Sequence, residues 1–227
     1  MNQNGKAISL NGNGKQLQEP HEYHLSGPIE TLLQGIAVPL DDEAKMLAIS
    51  RHFKQIMLIL GLDVNDDSLK GTPDRVAKMY VKEIFSGLNP NNKPDITLFE
   101  NKYEYHGMLV EKNITVYSCC EHHFVPIIGK AHVGYFSGGK VIGLSKINRI
   151  VQYYCKRPQV QERLTEQIAE ALKGALMTED VAVLIDAEHH CVASRGVTDI
   201  NSSTVTSHYS GKFIDHLTRA EFLSHLK

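Results

Sequence analysis

Residues 114–144 read ITVYSCCEHHFVPIIGKAHVGYFSGGKVIGL. Three stretches in it have the composition of strands: Ile114–Tyr117, Ala131–Phe136 and Val141–Leu144, rich in β-branched and aromatic residues. Gly138-Gly139 suggests a hairpin turn between the last two. Upstream of about Ile96 the period is helical instead. Asp41 or Asp42 can cap a helix running to Leu60 and stopped by Gly61, with Met46, Ile49, Phe53, Ile56, Met57 and Leu60 on one face. A second helix starts at Thr72-Pro73, Thr72 as cap and Pro73 in the first turn, and ends near Phe85 before Gly87. The short polar loop between the two favours an antiparallel pair.

Downstream, Ser145 is placed to cap a helix to Lys156, and Pro158 breaks it. A longer helix spans Gln159 to about Leu176, Val181–Asp186 (VAVLID) reads as a buried strand, and Thr204–Ser210 as a strand of alternating character. Asp215–Leu226 closes the chain as a helix. This order predicts an α+β domain, an antiparallel sheet with helices on one face.

Composition narrows the function. The 227 residues carry a net charge of −2, so no overall basic field draws the chain to nucleic acid, and an anionic ligand must be met by local charges. No apolar run reaches the roughly 18 residues of a membrane span, and the N-terminus lacks a basic segment followed by an apolar one. The four cysteines are Cys119, Cys120, Cys155 and Cys191. An adjacent pair is poor material for a disulfide framework, so a reduced, cytoplasmic protein is expected. Residues 1–28 are rich in Asn, Gly, Gln and Lys without a period. They read as an extension reaching residue 40, and Gly12 and Gly14 lack the preceding strand a phosphate loop needs. The expected organisation is an extension over 1–40, a helical region over 41–95 and an α+β domain over 96–227.

Two clusters carry chemistry. Cys120 and His123 stand three apart in SCCEHHFVP, a spacing that brings a thiolate and an imidazole to one point in a tight turn, as zinc prefers. Cys191, following His189-His190 after the core strand, is the third candidate. Cys119 and His122 are the competing donors. Three protein ligands leave room for water, the mark of a catalytic metal. Free cysteine is also a common core residue, and Glu121 can be no more than a solvated carboxylate. The second cluster is GLSKINR (143–149). Ser145, Lys146 and Arg149 at a helix start put positive charge where the dipole disfavours it, which suggests a bound anion. Arg195, Arg75, Gln161 and Glu162 have ordinary surface explanations by themselves. Glu162 could also accept N–H groups from a purine edge.

Together these segments resemble the GTP cyclohydrolase I family. The matching runs are Leu69–Met79 (LKGTPDRVAKM), Cys120-Glu-His-His123, Ile142–Ile150 (IGLSKINRI), Arg157–Leu164 (RPQVQERL), and His189-His-Cys191 with Arg195-Gly-Val197. They cover roughly residues 40 to 227. The resemblance implies a tunnelling fold that assembles into rings, an N-terminal helical pair, and a homodecamer with active sites at subunit junctions. It implies one Zn2+ per subunit on Cys120, His123 and Cys191, and catalytic His122, His189 and Ser145. It further implies Lys146, Arg149, Arg195 and Arg75 on the triphosphate or ribose side, and Gln161 and Glu162 on guanine. The implied reaction is zinc-dependent opening of GTP at C8, loss of that carbon as formate, and rearrangement to 7,8-dihydroneopterin triphosphate, the first step of folate or pterin biosynthesis. Cys119 and His190 depart from the family pattern. The alternatives are another pterin or deazapurine enzyme on the same fold, or a non-catalytic nucleotide-binding protein stabilised by zinc.

Overall fold

A computed structural model describes residues 40–227. The expected extension, with Gly12 and Gly14, lies outside the described residues apart from Leu40.

Helix α1 spans Asp42–Ile59, and Asp41 caps it by accepting from Ala44 N at 2.8 Å. Helix α2, Thr72–Lys78, runs on through a π-helical turn, Met79–Ile84. Thr72 does not cap it. It sits inside the first turn, where its Oγ1 accepts from Arg75 Nη2 at 2.8 Å. Ser50 on α1 donates to Asp74 on α2, and Lys82 pairs with Asp42.

Five strands form the main sheet: β2 (Leu109–Cys120), β3 (Pro126–Tyr135), β5 (Pro158–Gln159), β6 (Val181–His189) and β7 (Thr204–Tyr209), in the order β5-β2-β3-β6-β7. All neighbours are antiparallel except β2 and β5. β2 extends well beyond Ile114–Tyr117 at both ends, because an irregularity near Asn113 (φ 61°) absorbs the break in its alternation. A separate pair joins β1 (Leu98–Glu100) to β4 (Lys140–Ile142). The expected hairpin over Gly138-Gly139 is therefore not formed. Tyr135, the last residue of β3, already pairs with Leu109 on one side and Val181 on the other, so β3 offers β4 no edge.

Alternation along β6 sends Val181, Val183, Ile185 and Ala187 to one face. There they meet Ile147, Ile150 and Val151 of α3 (Leu144–Cys155) and Leu164, Ile168 and Leu172 of α4 (Gln161–Leu176). The three α4 residues, spaced by four, are fully buried, at about 1.5–3 kcal/mol each. The opposite face is not bare as the sequence suggested. Ala182 packs there with Phe213 and with Phe222 of α6 (His216–His225). Helix α3 begins one residue before Ser145, with Gly143 in the cap position and no side-chain cap, so the Ser145 hydroxyl is not spent on its own helix.

Gly129 on β3 lies against β6 so closely that a Cβ would stand 2.1 Å from Asp186 O and 2.5 Å from Ala187 Cα. A carbonyl of a paired strand cannot swing away. Gly129→Ala should therefore lower unfolding free energy by about 3 kcal/mol or more, while Gly174→Ala, helical with open space at its Cβ, should raise it by about 0.5–1 kcal/mol. Chemical denaturation of both variants measures the contrast.

Candidate metal centre

Strand β2 ends on Cys120, and the chain turns through Glu121–Phe124 before β3. Cys120 N donates to Val125 O at 2.8 Å and Phe124 N to Cys120 O at 2.9 Å, and Phe124 takes a left-handed φ of 53° to close the turn. Glu121 N donates to Gln159 O at 3.0 Å. The Glu121 carboxylate is paired with Arg163, whose guanidinium also donates to Gln159 Oε1 and Pro158 O, both at 3.1 Å. The turn is thereby tied to β5 and the start of α4 by an arginine side chain only 9% exposed. Glu121 is thus an ion-paired anchor rather than a free carboxylate.

Ile127 of β3 pairs with Ser118 on one side and His189 on the other. Cys120 lies two residues past Ser118, and Cys191, in the short helix α5 (His190–Ala193), two past His189. The result is a cluster in which ligand atoms of Cys120, His123 and Cys191 all lie within 4.8 Å of one another. Sulfurs bound at about 2.3 Å to a tetrahedral ion stand about 3.8 Å apart, so the set fits a transition metal after a small contraction. It is the only such group among the described residues.

Of the competing donors, Cys120 and His123 are the ones in this group. Cys119 points elsewhere, is buried, and its thiol is pushed up to about 11 by burial and by the neighbouring Cys120. Cys155 is pushed up to about 12 by burial in the core. Burial also raises the Cys191 thiol, reinforced by Cys120 beside it and opposed by Arg195.

Other expected residues divide into two groups. His122 stands at the cluster, its Nδ1 3.8 Å from Cys120 Sγ, and Arg195 Nη1 lies 3.0 Å from His123 Nε2. His189 is half-buried, with its Nε2 2.7 Å from Gln161 Oε1. Its pKa is pulled down by desolvation, against the Glu162 carboxylate, which favours the charged ring. Glu162 is exposed on the first turn of α4. Gln161, in contrast, is 1% exposed, with both ends of its amide hydrogen-bonded inside the protein.

Ser145, Lys146 and Arg149 share the start of α3, and among the described residues none of them hydrogen-bonds to the cluster. Arg149 instead lines a pocket of about 340 Å³ with Ser86, Asn92, Gln152 and Lys156. Arg75 spends its guanidinium on Thr72 and on Ser68 O. Sequence reasoning missed Arg163, whose partner Glu121 is 42 residues away, and the threonines behind Gln161. No local pattern marks either.

The sequence model of one family, GTP cyclohydrolase I, matches residues 49–227. A GTP cyclohydrolase 1 of Flavobacterium johnsoniae is 58% identical over 211 residues, 93% of this chain and 95% of that protein. One from Vibrio parahaemolyticus is 55% identical over 88% of this chain and 91% of its own, and one from Yersinia enterocolitica 51% over 92% and 94%. Among solved structures, the archaeosine synthase QueF-Like in the apo form overlaps 48% of this chain and 97% of its own, at 18% identity and a TM-score of 0.41, too slight a likeness to carry the fold.

Thiols must lose their protons to ligate, so metal affinity should weaken steadily as pH falls. Cys120→Ser, His123→Ala and Cys191→Ser should each release the metal, and Cys155→Ser should keep it. Elemental analysis after dialysis checks the set; full metal content in Cys191→Ser would break the triad.

Proposed function

Because the chain belongs to the GTP cyclohydrolase I family, we propose that it converts GTP to 7,8-dihydroneopterin triphosphate and formate, an entry step to folate or other pterins. The observation that carries this reading is the meeting of Cys120, His123 and Cys191 with His122 and Arg195 at one end of the sheet. One Zn2+ per chain suits two thiolates and an imidazole, and when bound it supplies a Lewis acid that brings the pKa of water toward about 7.

The chain's own residues have distinct tasks in this proposal. His189, kept largely neutral at pH 7 by burial, exchanges a proton with the purine ring as it opens. His122, exposed beside the cluster, and Ser145, whose hydroxyl is not capping α3, move protons during the ribose rearrangement. Glu162 accepts N–H groups of the guanine edge. Arg195, Lys146 and Arg149 meet the triphosphate and ribose, and guanidinium forks suit phosphate oxygens. Arg75 supports that side from α2.

Among the described residues no hydrogen bond joins Ser145, Lys146 or Arg149 to the metal cluster. That supports a site completed at a subunit junction, with Ser145, Lys146 and Arg149 reaching a neighbouring chain's cluster. The outer edge of β7 has no partner strand among the described residues, and Val205 on it is exposed, as a sheet continuing into the next subunit requires. We therefore assign the tunnelling fold, an antiparallel α1–α2 pair and a homodecamer. The proposed domain limits are 41–95 and 96–227, following the extension over 1–40. Four free thiols suit a cytoplasmic protein, and no described helix is long and apolar enough to cross a membrane. The group whose ligand atoms all lie within 4.8 Å of one another has three members, which supports an open metal position rather than a closed structural zinc.

Incubation of the zinc-loaded protein with GTP should yield formate and a pterin that fluoresces after oxidation. His189→Ala should bind metal and GTP yet release formate at least about a hundredfold more slowly. Undiminished formate release would remove His189 from the chemistry.

A further inference from the structure

Behind His189 runs a line of hydrogen bonds whose direction can be assigned. Thr165 Oγ1 lies 2.9 Å from Gln161 O, a carbonyl that can only accept, so the Thr165 hydroxyl proton is spent there. Thr206 Oγ1 is 2.7 Å from Thr165 Oγ1 and must therefore donate to it. The Thr206 oxygen is then left to accept from Gln161 Nε2 at 3.1 Å. The same amide nitrogen faces two further carbonyls, Thr204 O at 2.7 Å and Ile185 O at 3.2 Å. Turning the amide over would set Oε1 against both of those oxygens. Oε1 therefore faces His189 Nε2 at 2.7 Å, and since Oε1 can only accept, Nε2 carries a proton.

We infer that Gln161 is a positioning residue that holds His189 in the Nε2–H tautomer, so that its proton exchange takes place at Nδ1. This rests on the reading of His189 as the proton-transfer group. The neutral ring has its lone pair on Nδ1 and takes up a proton there. The imidazolium so formed returns that proton from the same atom, while Nε2–H stays bonded to Gln161 throughout. Gln161 and Thr165 are each 1% exposed, so water does not compete for these bonds. Sequence reasoning placed Gln161 on guanine. The structure spends its whole amide on β6, β7 and His189, and leaves base recognition to Glu162 next to it.

The test uses the full-length, metal-loaded enzyme. Nitrogen-15 NMR of the wild type, with the His189 signals identified by their loss in His189→Gln, should show the neutral ring protonated at Nε2. Gln161→Leu should lower kcat about ten- to a hundredfold, with metal content unchanged and KM for GTP within about twofold. Thr206→Val, which leaves Gln161 in place but loosens its amide, should lower kcat by less and shift the His189 signals toward a mixture of tautomers. An Nδ1–H tautomer in the wild type overturns the inference, as does a raised KM with unchanged kcat in Gln161→Leu, the pattern of a lost substrate contact. If Gln161→Leu fails to fold, the wild-type tautomer and Thr206→Val decide. Undiminished turnover in His189→Ala would instead sink the assignment of His189, whatever its tautomer.

Discussion

The pairing of β3 with both of its neighbours is the constraint on which the site depends. β2 and β6 flank β3 and run parallel to each other, and Ile127 stands between Ser118 and His189. Two residues beyond these positions come the two cysteines of the cluster. A slip of one residue on either side would move a thiol by about 3.3 Å and turn it to the other face of the sheet. The register is held from within by buried side chains on β3 and β6, including Ile127, Val133, Val183 and Ile185, all fully buried. Core packing and metal geometry are thus one requirement, and Gly129, which lets β6 approach without a side chain between, serves both.

Around that frame the site is stiffened by polar groups taken out of water. Arg163 reaches from α4 to the turn that presents His122 and His123, its Nε donating to Gln159 and its Nη2 to Glu121 and Pro158. A buried ion pair is a doubtful source of stability, since desolvation offsets much of its attraction. Its value here is geometric. A turn of four residues carrying two imidazoles would otherwise sample several shapes, and a metal centre needs one.

Much of this was legible from residue types and spacing. Asp41 caps α1 as its residue type suggested, and the long helix after Pro158 and the buried strand VAVLID both form. Cys120 with His123 was readable because both ligands lie in one turn. What failed did so where the answer depended on distant chain. Gly138-Gly139 looks like a hairpin until β3 proves to be filled on both edges. Thr72 and Ser145 are good capping residues, yet the cap positions fall on Gly71 and Gly143, so local preference was outweighed by how the helix is seated. Gln161 and Glu162 are neighbours in sequence, and nothing local shows that one turns inward to two threonines and a histidine while the other stays in water.

The doubled cysteine at 119 and 120 shows what the pleat of a strand can separate. Successive side chains leave a strand on opposite faces, so one sulfur joins the cluster and the other enters an unrelated environment. With its thiol near 11, Cys119 is ionised in only about one molecule in ten thousand at pH 7. An oxidant or a stray metal ion that needs the thiolate thus meets very little of it, although the reactive sulfur is the next residue along the chain. The peptide alternation acts as insulation: a second cysteine can sit beside a metal ligand without becoming a rival to it.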